Sequence, residues 1–323
     1  MSRPRILRGV VVAAAVVALA GCAPSPQPPA THSSTAPSSS PSDDRVRVGV
    51  GRGPKDVTYA VGSLWVTNFD DDTVSRVDPV AARVTATIPV GHGPITVVAA
   101  GDAIWVANYL GGDVSRIGPV SDKVTATVVA GGKPVGLTAY GTDLWVFSQA
   151  DATATLVDVR TAKPIATVAT GVRAGWSTAF NGRIWVSDFQ GTTKQVVAID
   201  PVPRAVVARV PTGAAPILAA FADGSGWVAN TGDASVTRFD PAAGRVQATI
   251  AVPGGAIGPL LATPTAIWVS VYGGAAVARI DPSTNTVTAS IPVGVHPQKM
   301  IGVGAALWLV EDGENDIVAV PQP

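Results

Sequence analysis

Residues 104–117 read IWVANYLGGDVSRI, and the tryptophan in this stretch decides the fold. Trp105 beside Asn108 and Tyr109 would suit a ligand platform as well as a packed core. Its spacing separates the two. Trp65, Trp105, Trp145, Trp185, Trp227, Trp268 and Trp308 follow one another at intervals of 40, 40, 40, 42, 41 and 40 residues. Val follows six of them and Leu309 follows the seventh. Eleven residues before each stands Pro54, Pro94, Pro134, Ala174, Pro216, Ile257 or Pro297, and a glycine (Gly51, Gly91, Gly131, Gly171, Gly213, Gly254, Gly294) precedes that marker by three. Asp-Pro recurs at Asp78, Asp200, Asp240 and Asp281. Markers keeping one register over seven copies define a repeat. A ligand platform has no need of seven equivalents, whereas a packing layer does, so Trp105 is assigned to the core.

Each unit divides into four short runs, such as ITVVAAG, AIWVANY, DVSRIG and KVTATVVA in the second. All are rich in β-branched and aromatic residues and are separated by Gly, Asp or Pro, which is strand-and-turn chemistry without a capped helical pattern. Four strands in each of seven units predict an all-β, seven-bladed β-propeller of antiparallel four-stranded blades over residues 45–323. The last unit ends at IVAVPQP before its fourth strand. DRVRVGVGRGP, from residue 44, aligns with VTATIPVGHGP, which predicts that the N-terminal strand completes the seventh blade and leaves no open edge.

The residues before 45 have a different character. Arg3, Arg5 and Arg8 precede an apolar run at 9–20 that is too short to span a bilayer, the pattern of a signal peptide over 1–21. Leu19-Ala20-Gly21-Cys22 resembles the lipobox of bacterial lipoproteins, which implies lipidation of Cys22, the single cysteine, and an extracytoplasmic chain anchored to the cell envelope. The Pro/Ser/Thr-rich segment 22–44, including His32, has the composition of a tether. The chain carries 23 basic and 23 acidic residues, and loss of the three leader arginines leaves it slightly acidic, so nothing points to nucleic acid. The expectation is a monomeric ring with no cofactor.

The G-x-x-P loops, LWVTNFDDDTVSRVDP (64–79) and TATIPVG (85–91) resemble the YVTN-repeat β-propeller family of bacterial exported proteins, and more distantly the streptogramin (virginiamycin B) lyase propellers. The first resemblance implies the fold far more than an activity. The second implies His and metal-binding Glu residues on such loops. Here the position three after each repeat Trp reads Asn68, Asn108, Ser148, Asp188, Asn230, Val271 and Glu311, and no Glu-x-His pair occurs.

With strands named a to d from the axis outward, the d-to-a loops (G-x-x-P) and the b-to-c loops (after each Trp strand) share one face of the ring. Loops of this kind carry function on repeat scaffolds. The first set brings Arg52, Lys55, His92, Lys133, Arg173, His296 and Lys299 to one mouth of the axial channel. Two readings stand: an anion-binding mouth, or a set of charges paired with the acidic b-to-c loops. Trp176, outside the Trp register, is either a stacking surface beside Arg173 or a filler of the space left by Gly175. Asp72, Asp113 and Asp316 are placed to cap turns. Asp70, Asp71, Glu311 and Asp312 form an alternative metal set, although their spacing matches no EF-hand loop. His296 and Glu311 supply the alternative acid–base pair of a hydrolase or lyase. The favoured function is a non-catalytic module for a small anionic ligand or an envelope protein.

Overall fold

A computed structural model describes residues 45–321, and within them seven four-stranded antiparallel sheets form a propeller. Blade 1 consists of Pro54–Ala60 (a), Ser63–Asn68 (b), Thr73–Asp78 (c) and Arg83–Pro89 (d), hydrogen-bonded in that order. Blade 7 consists of Pro297–Val303, Ala306–Glu311 and Asp316–Pro321, and its fourth strand is the N-terminal Arg47–Gly49. The register pairs Arg47 with Val318, Val48 with Ile317 and Gly49 with Asp316. Val48 is thereby buried in a cluster with Val57, Leu64, Val66 and Trp308, which joins the last blade to the first. Among the described residues no helix is long and apolar enough to cross a membrane. The leader, Cys22 and the tether lie outside the described residues.

Burial follows position in the blade. Outer strands alternate exposed and partly buried residues, while the b strands of blades 1, 2 and 5 are buried throughout. A central strand has a sheet neighbour on each side and a blade against each face, so every residue on it loses water. All seven repeat tryptophans are at most 4% exposed. Opposite them on strand c stand Arg76, Arg116, Leu156, Ala198, Arg238, Arg279 and Ala319. The Arg76 guanidinium lies 5.1 Å from the Trp65 ring centre, and that of Arg238 lies 4.8 Å from Trp227. Both reach the next blade, Arg76 at Pro119 O and Asp122, and Arg238 at Pro282 O and Asn285. Each covers its tryptophan and seals a seam between blades.

The Asp-Pro marker is a turn device. Asp78 Oδ1 accepts the N–H groups of Val80 and Ala81, and Asp240 Oδ1 those of Ala242 and Ala243, while proline presets the following φ. The main-chain donors hold both carboxyls below their usual range. A depressed folded-state pKa gives stability that is complete above the unfolded value and is lost as pH falls through the folded one. Urea midpoints should therefore drop on acidification below about pH 4. Asp78→Asn with Asp240→Asn should flatten that drop, and an unchanged slope would remove these turns from the account. The buried Asp56 and Glu311 act in the opposite sense. Burial raises both, so their contributions diminish as pH rises through their folded-state values.

Candidate functional site

The d-to-a and b-to-c loops meet on one face, as the sequence predicts, and they are zipped together by main-chain bonds. Phe69 N donates to Gly53 O (3.0 Å), Tyr109 N to Gly93 O (2.8 Å), Gln149 N to Lys133 O (3.0 Å), Thr231 N to Ala215 O (3.1 Å) and Asp312 N to His296 O (3.3 Å). In blades 1 and 7 the side chain three after the Trp locks the same junction. Asn68 Oδ1 accepts Gly51 N at 3.1 Å, and its Nδ2 donates to Thr73 and Ser75. A Cβ at Gly51 would stand 2.6 Å from the Asn68 carboxamide, which explains the glycine marker.

Glu311 is the blade 7 version of that lock. Its Oε1 accepts Gly294 N at 2.5 Å, as Asn68 accepts Gly51. Its Oε2 is 2.5 Å from Arg47 Nη1, which also reaches Asp316 at 3.0 Å. Glu311 is wholly buried, whereas His296 is exposed in the left-handed backbone position that Gly53 and Gly93 occupy in blades 1 and 2. Among the described residues no hydrogen bond or ion pair joins His296 to Glu311.

The basic mouth is largely neutralised. Arg52 Nε lies 2.7 Å from Asp71, Lys55 Nζ 2.5 Å from Asp312, His92 Nδ1 2.9 Å from Asp72, and Lys299 Nζ 2.7 Å from Asp56. Lys133 lies over the Tyr109 ring at 5.3 Å. Three of these partners, Asp71, Asp312 and Asp72, belong to the acidic b-to-c loops, whereas Asp56 lies on the innermost strand of blade 1. Arg173 differs: its side chain is exposed, while its main-chain N–H donates to Asp188 Oδ1 at 2.8 Å. The same pairs engage three of the alternative metal set, Asp71 with Arg52, Asp312 with Lys55 and Glu311 with Arg47. No group of three or more His, Cys, Asp or Glu gathers as a metal site among the described residues. Asp72 and Asp316 reach sideways rather than capping their own turns, Asp72 to Gly93 N and His92 of the next blade and Asp316 to Arg47. Asp113 instead binds the Asn108 carboxamide.

Blade 4 breaks the pattern. Its innermost strand is shortened to Ser177–Phe180, and Trp176 stands just before it. Trp176 N donates to Ile217 O of blade 5 at 3.0 Å, and its ring packs against the apolar cluster of blades 5 and 6. The ring is partly buried and lines an axial cavity of about 230 Å³ to which the innermost strands of all seven blades contribute. Lys299 faces the same cavity from blade 7.

Asp56 escapes a reading by motif. It is wholly buried, accepts Val57 N (2.7 Å), Val97 N (3.1 Å) and the Lys299 ammonium, and so ties blades 7, 1 and 2 together. The signal was present in the repeat: two residues after the G-x-x-P proline marker the seven units read Asp56, Thr96, Gly136, Trp176, Leu218, Pro259 and Lys299. A second feature, a largely apolar groove of about 760 Å³, lies at the seam of blades 7 and 1 over Trp308, where Ala319 replaces the covering arginine. Arg45 and Pro321 both line it.

No family model matches the chain, and no curated protein matches it. Solved structures do. Hydrazine synthase of Kuenenia stuttgartiensis superposes with a TM-score of 0.74 at 15% identity, over 84% of this chain and 96% of that one. Virginiamycin B lyase of Staphylococcus aureus gives 0.73 at 12% identity, over 87% and 99%. U3-55K gives 0.72 at 12% identity, over 86% and 98%. Identities this low extend to the architecture alone: the chain shares the seven-bladed β-propeller fold with these proteins.

Proposed function

We propose that the protein is a lipid-anchored, extracytoplasmic β-propeller acting as a non-catalytic binding module. Its binding face carries the G-x-x-P and b-to-c loops and takes a small anionic ligand or an envelope protein. The observation that carries this reading is the contrast between scaffold and face. Seven tryptophan layers repeat, while on this face blade 4 departs from the pattern, with Arg173 exposed and Trp176 partly buried just before a shortened innermost strand. Rigid repeats with divergent loops are the usual arrangement of a recognition surface. The anchor is supported by the basic leader, its short apolar run and Leu19-Ala20-Gly21-Cys22.

Affinity capture from envelope extracts and ligand-induced thermal shift, each comparing wild type with Arg173→Ala and Trp176→Ala, test the face. Weakened capture or shift is expected, and full retention in both variants would overturn it. Mass spectrometry of the membrane-fraction protein should find a lipid on Cys22, and Cys22→Ser should release the chain from that fraction.

A further inference from the structure

The axial cavity has a one-sided chemistry. Several of its hydroxyl groups are committed to stitching blades together. Thr96 Oγ1 donates to Val135 O (2.6 Å), Thr138 and Ser177 share a bond (2.7 Å), and Thr178 Oγ1 donates to Ala219 O (2.8 Å). Blades 5 and 6 present Leu218, Ala220 and Leu260, with the Trp176 ring beside them. The charged group on the wall is the Lys299 ammonium, whose side chain is 23% exposed, while its partner Asp56 lies behind it and is wholly buried. An ammonium has three N–H donors. Asp56 takes one, so others are left for a group inside the cavity.

An anion suits that donor and a cation does not. Among apolar walls a charge-assisted bond to the ammonium is stronger than in water. A dianion is disfavoured because, among the described residues, Lys299 is the one cation in the cavity lining, so a second negative charge would be buried with no ammonium to bind it. At roughly 30 Å³ per water, the volume holds a body of about eight heavy atoms.

We propose that this cavity binds a small monocarboxylate with an apolar body, its carboxylate on the Lys299 ammonium and its body against Leu218, Leu260 and the Trp176 ring. The assignment rests on the binding-module reading and names a ligand class and an axial position for it.

Titration calorimetry of the full chain with hexanoate and benzoate, against hexanamide and benzamide, tests the assignment. The acids should bind about tenfold or more tightly than the amides. Ala220→Phe narrows the cavity without touching the ion pair and should abolish acid binding with little change in melting temperature. Lys299→Met alone would strand a buried carboxylate, so the charge test is Lys299→Met with Asp56→Asn, in which the acid–amide difference should vanish. Equal affinity for acids and amides, binding of neither, or acid binding that survives Ala220→Phe would overturn the proposal. If Ala220→Phe fails to fold, the wild-type comparison and the double variant decide it. Capture by the loop face is read separately with Arg173→Ala, so failure of either reading is visible without the other.

Discussion

A chain beginning at residue 51 should fail to form the ring at all, rather than lose one blade. Three effects coincide at this closure. Strand Asp316–Pro321 loses its outer neighbour and becomes an open edge. Val48 leaves the cluster that packs blade 7 on blade 1. The Glu311 carboxylate, buried throughout, loses the Arg47 guanidinium 2.5 Å away. Stranding one partner of a buried pair costs about 3–5 kcal/mol, against a total stability of about 5–15 kcal/mol for an ordinary domain. Circular dichroism melting should show no cooperative transition for the truncated chain, and Arg47→Ala should fall between it and wild type. A truncated protein that melts within a few degrees of wild type would show that the closing strand is dispensable.

The second large effect is expected at Trp105. Its side chain has no exposed surface, packs among Ala100, Ala103, Leu137 and Leu144 across the seam of blades 2 and 3, and donates Nε1 to Ala100 O at 3.2 Å. Trp105→Ala removes that layer and should cost about 3–5 kcal/mol in chemical denaturation. Trp176 is only partly buried, and its Nε1 has no partner among the described residues, so Trp176→Ala should cost about 1 kcal/mol. Equal losses in the two variants would contradict the division between packing and binding tryptophans.

The blade count, strand order and closure were legible because the repeat samples one local geometry seven times. The glycine recurs wherever the loop does, and in blades 1, 2 and 5 it admits an Asn side chain, as Gly51 admits Asn68. The site was less legible because its chemistry is settled between units. Glu311 has the residue type of a catalytic acid, but its partner Arg47 lies 264 residues away. The cations around the mouth were located from sequence, while their neutralisation depends on neighbours such as Asp72 for His92 and Asp312 for Lys55, which come from adjacent blades. Asp56 and Lys299 occupy the same repeat position in the first and last units, and only a closed ring makes those units adjacent.

The groove over Trp308 has a consequence for the thread of the chain. Arg45 and Pro321 both line it, so the start and finish of the ring share one seam. A closed ring whose ends are neighbours tolerates circular permutation. Joining residue 321 to residue 45 through a short flexible linker, and opening the chain instead in the Gly131–Gly132–Lys133 loop, should give the same propeller by a different route. In such a permutant Asp316–Pro321 and Arg47–Gly49 would be consecutive strands of a hairpin, and the Arg47–Glu311 pair would lie within one continuous three-strand stretch.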